Sequence, residues 1–155
     1  MNPTVLERIE QLLTAQGVPS DVLRHKPVYT SAEAAAVRGT TLASGAKALI
    51  CKADERFVMF VLPADRRLAS KLVRKARGWK SLRFGTAEEV LELTGLTPGS
   101  IPPFGQLFGL VTLCDRQLAE QPTINFNAGD HAVSISMRYA DWESVESPEL
   151  IDCAE

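Results

Sequence analysis

A lysine inside an apolar run is the first residue here that could do chemistry. Residues 45–50 read Gly-Ala-Lys-Ala-Leu-Ile. In an extended strand Lys47, Leu49 and Cys51 share one face, while Ala46, Ala48 and Ile50 take the other. An ammonium flanked by apolar neighbours must find an anion or reach water. Lys47 is therefore either an anion-binding group or a strand-end lysine snorkelling outward. The second candidate is Gly99-Ser100-Ile101-Pro102-Pro103. Glycine lets a backbone approach a ligand closely, and the prolines hold that approach rigid. Free N–H groups in such a loop can receive a developing oxyanion without help from any side chain.

The missing motifs narrow the chemistry. The sequence contains no GxSxG elbow, P-loop, GxGxxG or HExxH pattern. His25 and His131 stand far apart with no ligand-spaced partner, so no metal site is expected. Cys51, Cys114 and Cys153 form no CxxC pair and read as core residues, with a reactive thiol the other possibility. An enzyme built from this set would stabilise a transition state and position a water. No cofactor is called for.

Charge is unevenly spread. The net charge is −2, yet Arg66, Arg67, Lys71, Arg74, Lys75, Arg77, Lys80 and Arg83 fall in one stretch without an acid. These are eight of the 17 basic residues, and the segment 139–155 holds six acids and no base. Such polarity can steer an anion to one face, or mark only a solvated helix.

These residues need elements to position them. A helix is predicted from a Thr4-x-x-Glu7 capping box, with Val5, Ile9, Leu12 and Leu13 as its stripe and Gly17 as its stop. A second runs from Ser31 to Gly39. The period then changes to two, and 47–52 and 57–62 read as a hairpin. Asp65 is expected to cap a basic helix that buries Leu68, Leu72 and Ala76, presents Arg67, Lys71, Arg74 and Lys75, and ends at Gly78. Thr86-x-x-Glu89 opens another helix that stops at Gly95. The loop from Gly95 to Gly105 has eleven residues, long against the usual ~4–6. Strands are predicted over 107–114, 123–127 and 132–138, with a turn at Gly129-Asp130, a closing helix over 139–145 and an acidic tail. Elements mixed in this way imply an α+β class around a largely antiparallel or mixed sheet.

One domain over 1–155 is expected, because no linker or repeat interrupts the chain. No apolar run approaches the roughly 20 residues of a membrane span, and the N-terminus lacks a signal-peptide layout. The expected location is cytoplasmic.

Four segments together resemble a known family. They are Gly45-Ala46-Lys47-Ala48-Leu49-Ile50, then Phe57-Val58-Met59-Phe60-Val61-Leu62-Pro63-Ala64-Asp65-Arg66-Arg67, then Ala87-Glu88-Glu89-Val90-Leu91-Glu92-Leu93-Thr94-Gly95, and finally Pro98-Gly99-Ser100-Ile101-Pro102-Pro103-Phe104-Gly105. In order and spacing, over roughly residues 30–145, they resemble the YbaK/prolyl-tRNA-synthetase-associated editing domain in its free-standing form. The resemblance implies helices around a mixed, partly barrel-like sheet. It implies hydrolysis of the ester between a wrong amino acid and the tRNA 3′ end, acting in trans, with alanine or cysteine on tRNA for proline the commonest substrates.

Lys47 would match the family's lysine that binds the tRNA end, and Gly99-x-x-x-Pro103 its GxxxP loop, with Ser100, Ile101, Pro102 and Pro103 around the aminoacyl group. The resemblance implies no protein nucleophile, a ribose hydroxyl of the terminal adenosine helping to activate water. Expected partners are the acceptor end of mischarged tRNA, touched also by Arg67, Lys71, Arg74 and Lys75, and, transiently, prolyl-tRNA synthetase. The alternatives are a deacylase for seryl- or threonyl-tRNA, a non-catalytic module that binds the tRNA end, and a protein that binds an aminoacyl or nucleotide metabolite.

Overall fold

Three helices begin with the same local device. Thr4, Thr30 and Thr86 each accept from the N–H three residues on, while Glu7, Glu33 and Glu89 reach back to the cap N–H. The computed structural model describes residues 2–155 and gives these helices as α1 (Val5–Ala15), α2 (Ser31–Arg38) and, after the basic segment, α4 (Ala87–Thr94). Gly39 and Gly95 close the last two in the left-handed conformation.

The hairpin pairs β2 (Ala46–Ala53) with β3 (Arg56–Pro63), with Lys47 opposite Leu62. Residues 58–63 of β3 are all buried. Met59 and Val61 enter one core with Ile9, Phe104, Phe126 and Trp142. Val58, Phe60 and Leu62 enter another with Cys51, Val73 and Leu113. A strand packed on both faces reads as a continuous apolar run, and β3 does.

Around this hairpin lies a five-stranded mixed sheet, in the order β4 (Leu82–Phe84), β2, β3, β5 (Val111–Asp115), β8 (Glu149–Ile151). A second, antiparallel sheet runs β1 (Asp21–Arg24), β7 (Val133–Arg138), β6 (Thr123–Asp130). The two meet at a parallel bridge between Gly45 and Asn125, where the Asn125 N–H donates to Ser44 O at 2.9 Å. The α+β class is as expected. The partly barrel-like sheet is resolved into two sheets joined at one corner and not into a closed barrel.

Several local expectations are corrected. Asp65 caps nothing: the basic helix α3 (Ser70–Arg77) has no side-chain cap. The observed N-cap, Ala69, lies four residues beyond Asp65, and the reason is tertiary. Residues 67–69 run extended beside the C-terminus, Arg67 and Glu155 exchanging backbone hydrogen bonds and the Ala69 N–H donating to Cys153 O. The helix rests on Val73, while Leu72 and Ala76 are exposed, because Leu68 lies outside the helical register and cannot set its stripe. Residues 105–108 form a 3-10 turn instead of strand. The segment after α5 (Tyr139–Glu146) is not only a tail, since it forms β8 beside β5. Strands β1 and β4 are exposed or short and carry no alternation to announce them.

Candidate functional site

Where β2 leaves the corner of the two sheets, a cleft of about 170 Å³ opens. Its lining brings together Lys47, Gly99 and Ile101 with Arg38, Phe126 and Asn127. Gly45 packs tightly at its edge: a Cβ there would stand 2.9 Å from Ala64 Cβ and 3.2 Å from Leu42 O. Lys47 and Gly99 line one cleft although they stand 52 residues apart in the chain.

Lys47 is half-buried and joins none of the ion pairs found among the described residues. Burial pulls its pKa below the ordinary lysine value; Asp65 opposes that shift and Arg67 reinforces it. Arg38 is the second cation. Its pKa is drawn down to about 10 by burial, and it too lacks an acidic partner among the described residues. It is held instead by neutral acceptors, Nε donating to Ser134 Oγ and Nη2 to Asn127 Oδ1, both at 2.8 Å. Two cations without carboxylates make the cleft attractive to an anionic or electron-rich group.

The loop is pinned at three carbonyls. Asn127 Nδ2 donates to Gly99 O at 2.6 Å, the Gly129 N–H donates to Ser100 O at 2.9 Å, and Trp142 Nε1 donates to Pro103 O at 2.8 Å. Gly99 adopts φ +91°, a conformation L side chains rarely take. Its own N–H has no acceptor among the described residues. Ser100, Pro102 and Pro103 are buried and do not line this cleft; Ser100 instead borders a second, more open depression with Tyr29 and His131.

Neither histidine is a free base. His131 makes contacts through Nδ1 to Val28 O and Nε2 to Thr97 Oγ1, both 3.1 Å, and His25 through Nδ1 to Lys26 O and Nε2 to Ser134 Oγ. All three cysteines are buried, with no disulfide. Burial pushes the Cys51 and Cys114 thiols up to about 12 and raises Cys153 as well, which removes the thiolate a nucleophile requires.

Of the basic stretch, Arg77 pairs with Glu149 and Arg83 with Glu89. Arg67, Lys71 and Lys75 are exposed and Arg74 half-exposed; none of the four lines the cleft, though Arg67 lies close enough to influence Lys47.

Sequence reasoning missed Arg38, Asn127 and Tyr29. Arg38 reads as an ordinary cation in the last turn of a helix, and Asn127 as a turn residue. Tyr29, 70% exposed at the cleft rim, rests its ring 4.7 Å from that of His131. Only the pairing of β6 with β7 under the end of α2 puts Arg38 beside Asn127.

A family model described as the aminoacyl-tRNA editing domain matches residues 25–145. This chain belongs to that family. Among curated relatives, it is 32% identical over 151 residues to the multifunctional Ser/Thr-tRNA deacylase ProXp-y of Escherichia coli K12, covering 94% of this chain and 90% of the relative. The crystal structure of a hypothetical protein matches with TM-score 0.87 and 26% identity, over 96% of this chain and 100% of the other. That of a candidate trans-editing enzyme for prolyl tRNA synthetase matches with TM-score 0.84 and 23% identity, over 100% and 99%. The editing-domain match spans both halves of the cleft, from α2 through the loop to Asn127.

Proposed function

We propose that this protein hydrolyses the ester joining a small, wrongly attached amino acid to the 3′ end of tRNA. The observation that carries the reading is the meeting of Lys47 and the Gly99 loop in one small cleft of an editing-domain chain. Lys47 holds the anionic end of the tRNA at the mouth. The Gly99 N–H receives the oxyanion as water adds to the ester carbonyl. The bond to the ribose oxygen then breaks, and that oxygen takes up a proton. With both histidines engaged and the thiols protonated, water is the attacking group, and a ribose hydroxyl of the substrate assists it.

Alanine and cysteine fit a small cleft. Serine and threonine have further support, because Arg38, at the lining, keeps Nη1 without an acceptor among the described residues, and the relative from Escherichia coli is named for those two. A site that hydrogen-bonds a hydroxyl rejects the analogue without it far more strongly than an apolar pocket senses one methylene. The test is a deacylation panel: tRNA charged with alanine, cysteine, serine, threonine or proline, followed by initial rates. At least one small amino acid should be released and proline spared. Release of none would leave a tRNA-end-binding module and end the catalytic reading.

A further inference from the structure

A chain of hydrogen bonds crosses the lining of the cleft. Arg38 ends α2, Ser134 and Asn127 come from the adjacent strands β7 and β6, and Gly99 lies in the long loop. The guanidinium donates to Ser134 Oγ and Asn127 Oδ1 at 2.8 Å, and the other side of the Asn127 amide donates to Gly99 O at 2.6 Å. An amide is the side chain that can do both, accepting at one atom and donating at the other. Arg38 supplies what a lysine could not, a planar fork that holds two acceptors in fixed directions. A half-buried guanidinium without an acid is unfavourable unless its donors are taken up, and Ser134 and Asn127 take up two of them.

We propose that Arg38 and Asn127 are positioning residues: together they fix the Gly99–Ser100 peptide through its carbonyl, which anchors the Gly99 Cα and so aims the neighbouring Gly99 N–H at the reacting ester. The inference rests on the deacylase reading for its kinetic arm and on none for its structural arm. Gly99 at φ +91° has no side chain to steady it, and the Gly99 carbonyl is the point where Asn127 takes hold. The relay connects α2 at the cleft rim to the loop opposite, so the two walls keep their separation.

The decisive variant is Asn127→Asp. It is isosteric and keeps the acceptor for Arg38, but it replaces the donor to Gly99 O with an oxygen. Arg38→Met cuts the first link, and Arg38→Lys restores charge without the fork. Two readouts are taken on folded protein: kcat and KM for the best substrate of the panel, and amide hydrogen exchange of the segment 97–104.

Asn127→Asp should lower kcat by about 10- to 100-fold, the scale of a misplacement near 1 Å, with KM changed by less than about twofold. Exchange in the segment 97–104 should quicken, whether or not any tRNA is hydrolysed. Arg38→Met and Arg38→Lys should resemble each other, and adding Arg38→Met to Asn127→Asp should cost little more, as expected for residues in one network. Unchanged loop exchange in Asn127→Asp overturns the relay even if kcat falls. Rescue by Arg38→Lys to wild-type kcat would equally overturn it, since charge alone would then suffice. A wild type that hydrolyses nothing in the panel refutes the deacylase reading, and the exchange measurement still decides the relay.

Discussion

Lys47 enters β2 next to the corner where the two sheets touch, half-buried at the lining of the cleft. Burial disfavours its charge, and the nearest modulators, Asp65 and Arg67, act in opposite directions. A cation kept there without an ion-pair partner is poised for a ligand's charge. If Lys47 has the proposed role of orienting the reacting ester, Lys47→Ala should cost on the order of 10²-fold in deacylation. Unfolding midpoints should stay close to wild type, because the side chain satisfies no buried partner. Near-normal turnover in the folded variant would return Lys47 to the role of a snorkelling strand-end residue. Arg38 differs in kind, since its donors are already committed to Ser134 and Asn127.

At the level of elements, the basic segment divides into two parts. Arg77 and Arg83 are taken by Glu149 and Glu89 and help seat α3, β8, β4 and α4 against one another. Arg67, Lys71, Arg74 and Lys75 join no ion pair among the described residues and remain available to phosphates. Arg67 links this surface to the cleft through its influence on Lys47. Reversing the charge of these four should weaken tRNA binding and flatten its salt dependence. For every phosphate left unneutralised, the slope of log K against log salt should fall by roughly 0.7–0.9 units. An unchanged slope, measured by titration at several salt concentrations, would put the RNA elsewhere.

For the molecule as a whole, selectivity is a matter of walls. The cleft is bounded by the end of α2 on one side and by the loop on the other, and the loop is held by hydrogen bonds from Asn127, Gly129 and Trp142. Ile101 is buried and lines the cleft, so its side chain limits what can enter. Pro102 and Pro103 stiffen that wall from behind without touching the space. Rigid exclusion suits editing, because apolar contact separates side chains differing by one methylene only about 10–200-fold. Ile101→Ala should widen the cleft and raise prolyl-tRNA hydrolysis relative to the small amino acids. Initial rates on prolyl- and seryl-charged forms of the same tRNA measure this. A ratio identical to wild type would mean that another wall sets the limit.

Much was legible in the sequence because it is local. The Thr4 and Thr86 boxes, read from the sequence, fix helix starts by hydrogen bonds that span three residues, as does the Thr30 box, which sequence reasoning missed, and the glycines at 39, 78 and 95 end helices by conformational freedom alone. The β2–β3 hairpin announced itself because both strands bury side chains along their length. Lys47 and Gly99 were readable because a lysine in an apolar strand and a glycine among prolines contrast with their neighbours. What the tertiary structure alone decided depends on distant contact. The start of α3 was moved by the C-terminal segment, which draws residues 67–69 into extended pairing. Strand β8 exists because β5 offers it an edge, not because its residues alternate. Arg38 and Asn127 stand 89 residues apart, and nothing in either local context requires the other. Their meeting follows from the corner at which Gly45 bridges Asn125 and joins the two sheets, a contact between segments 80 residues apart in the chain.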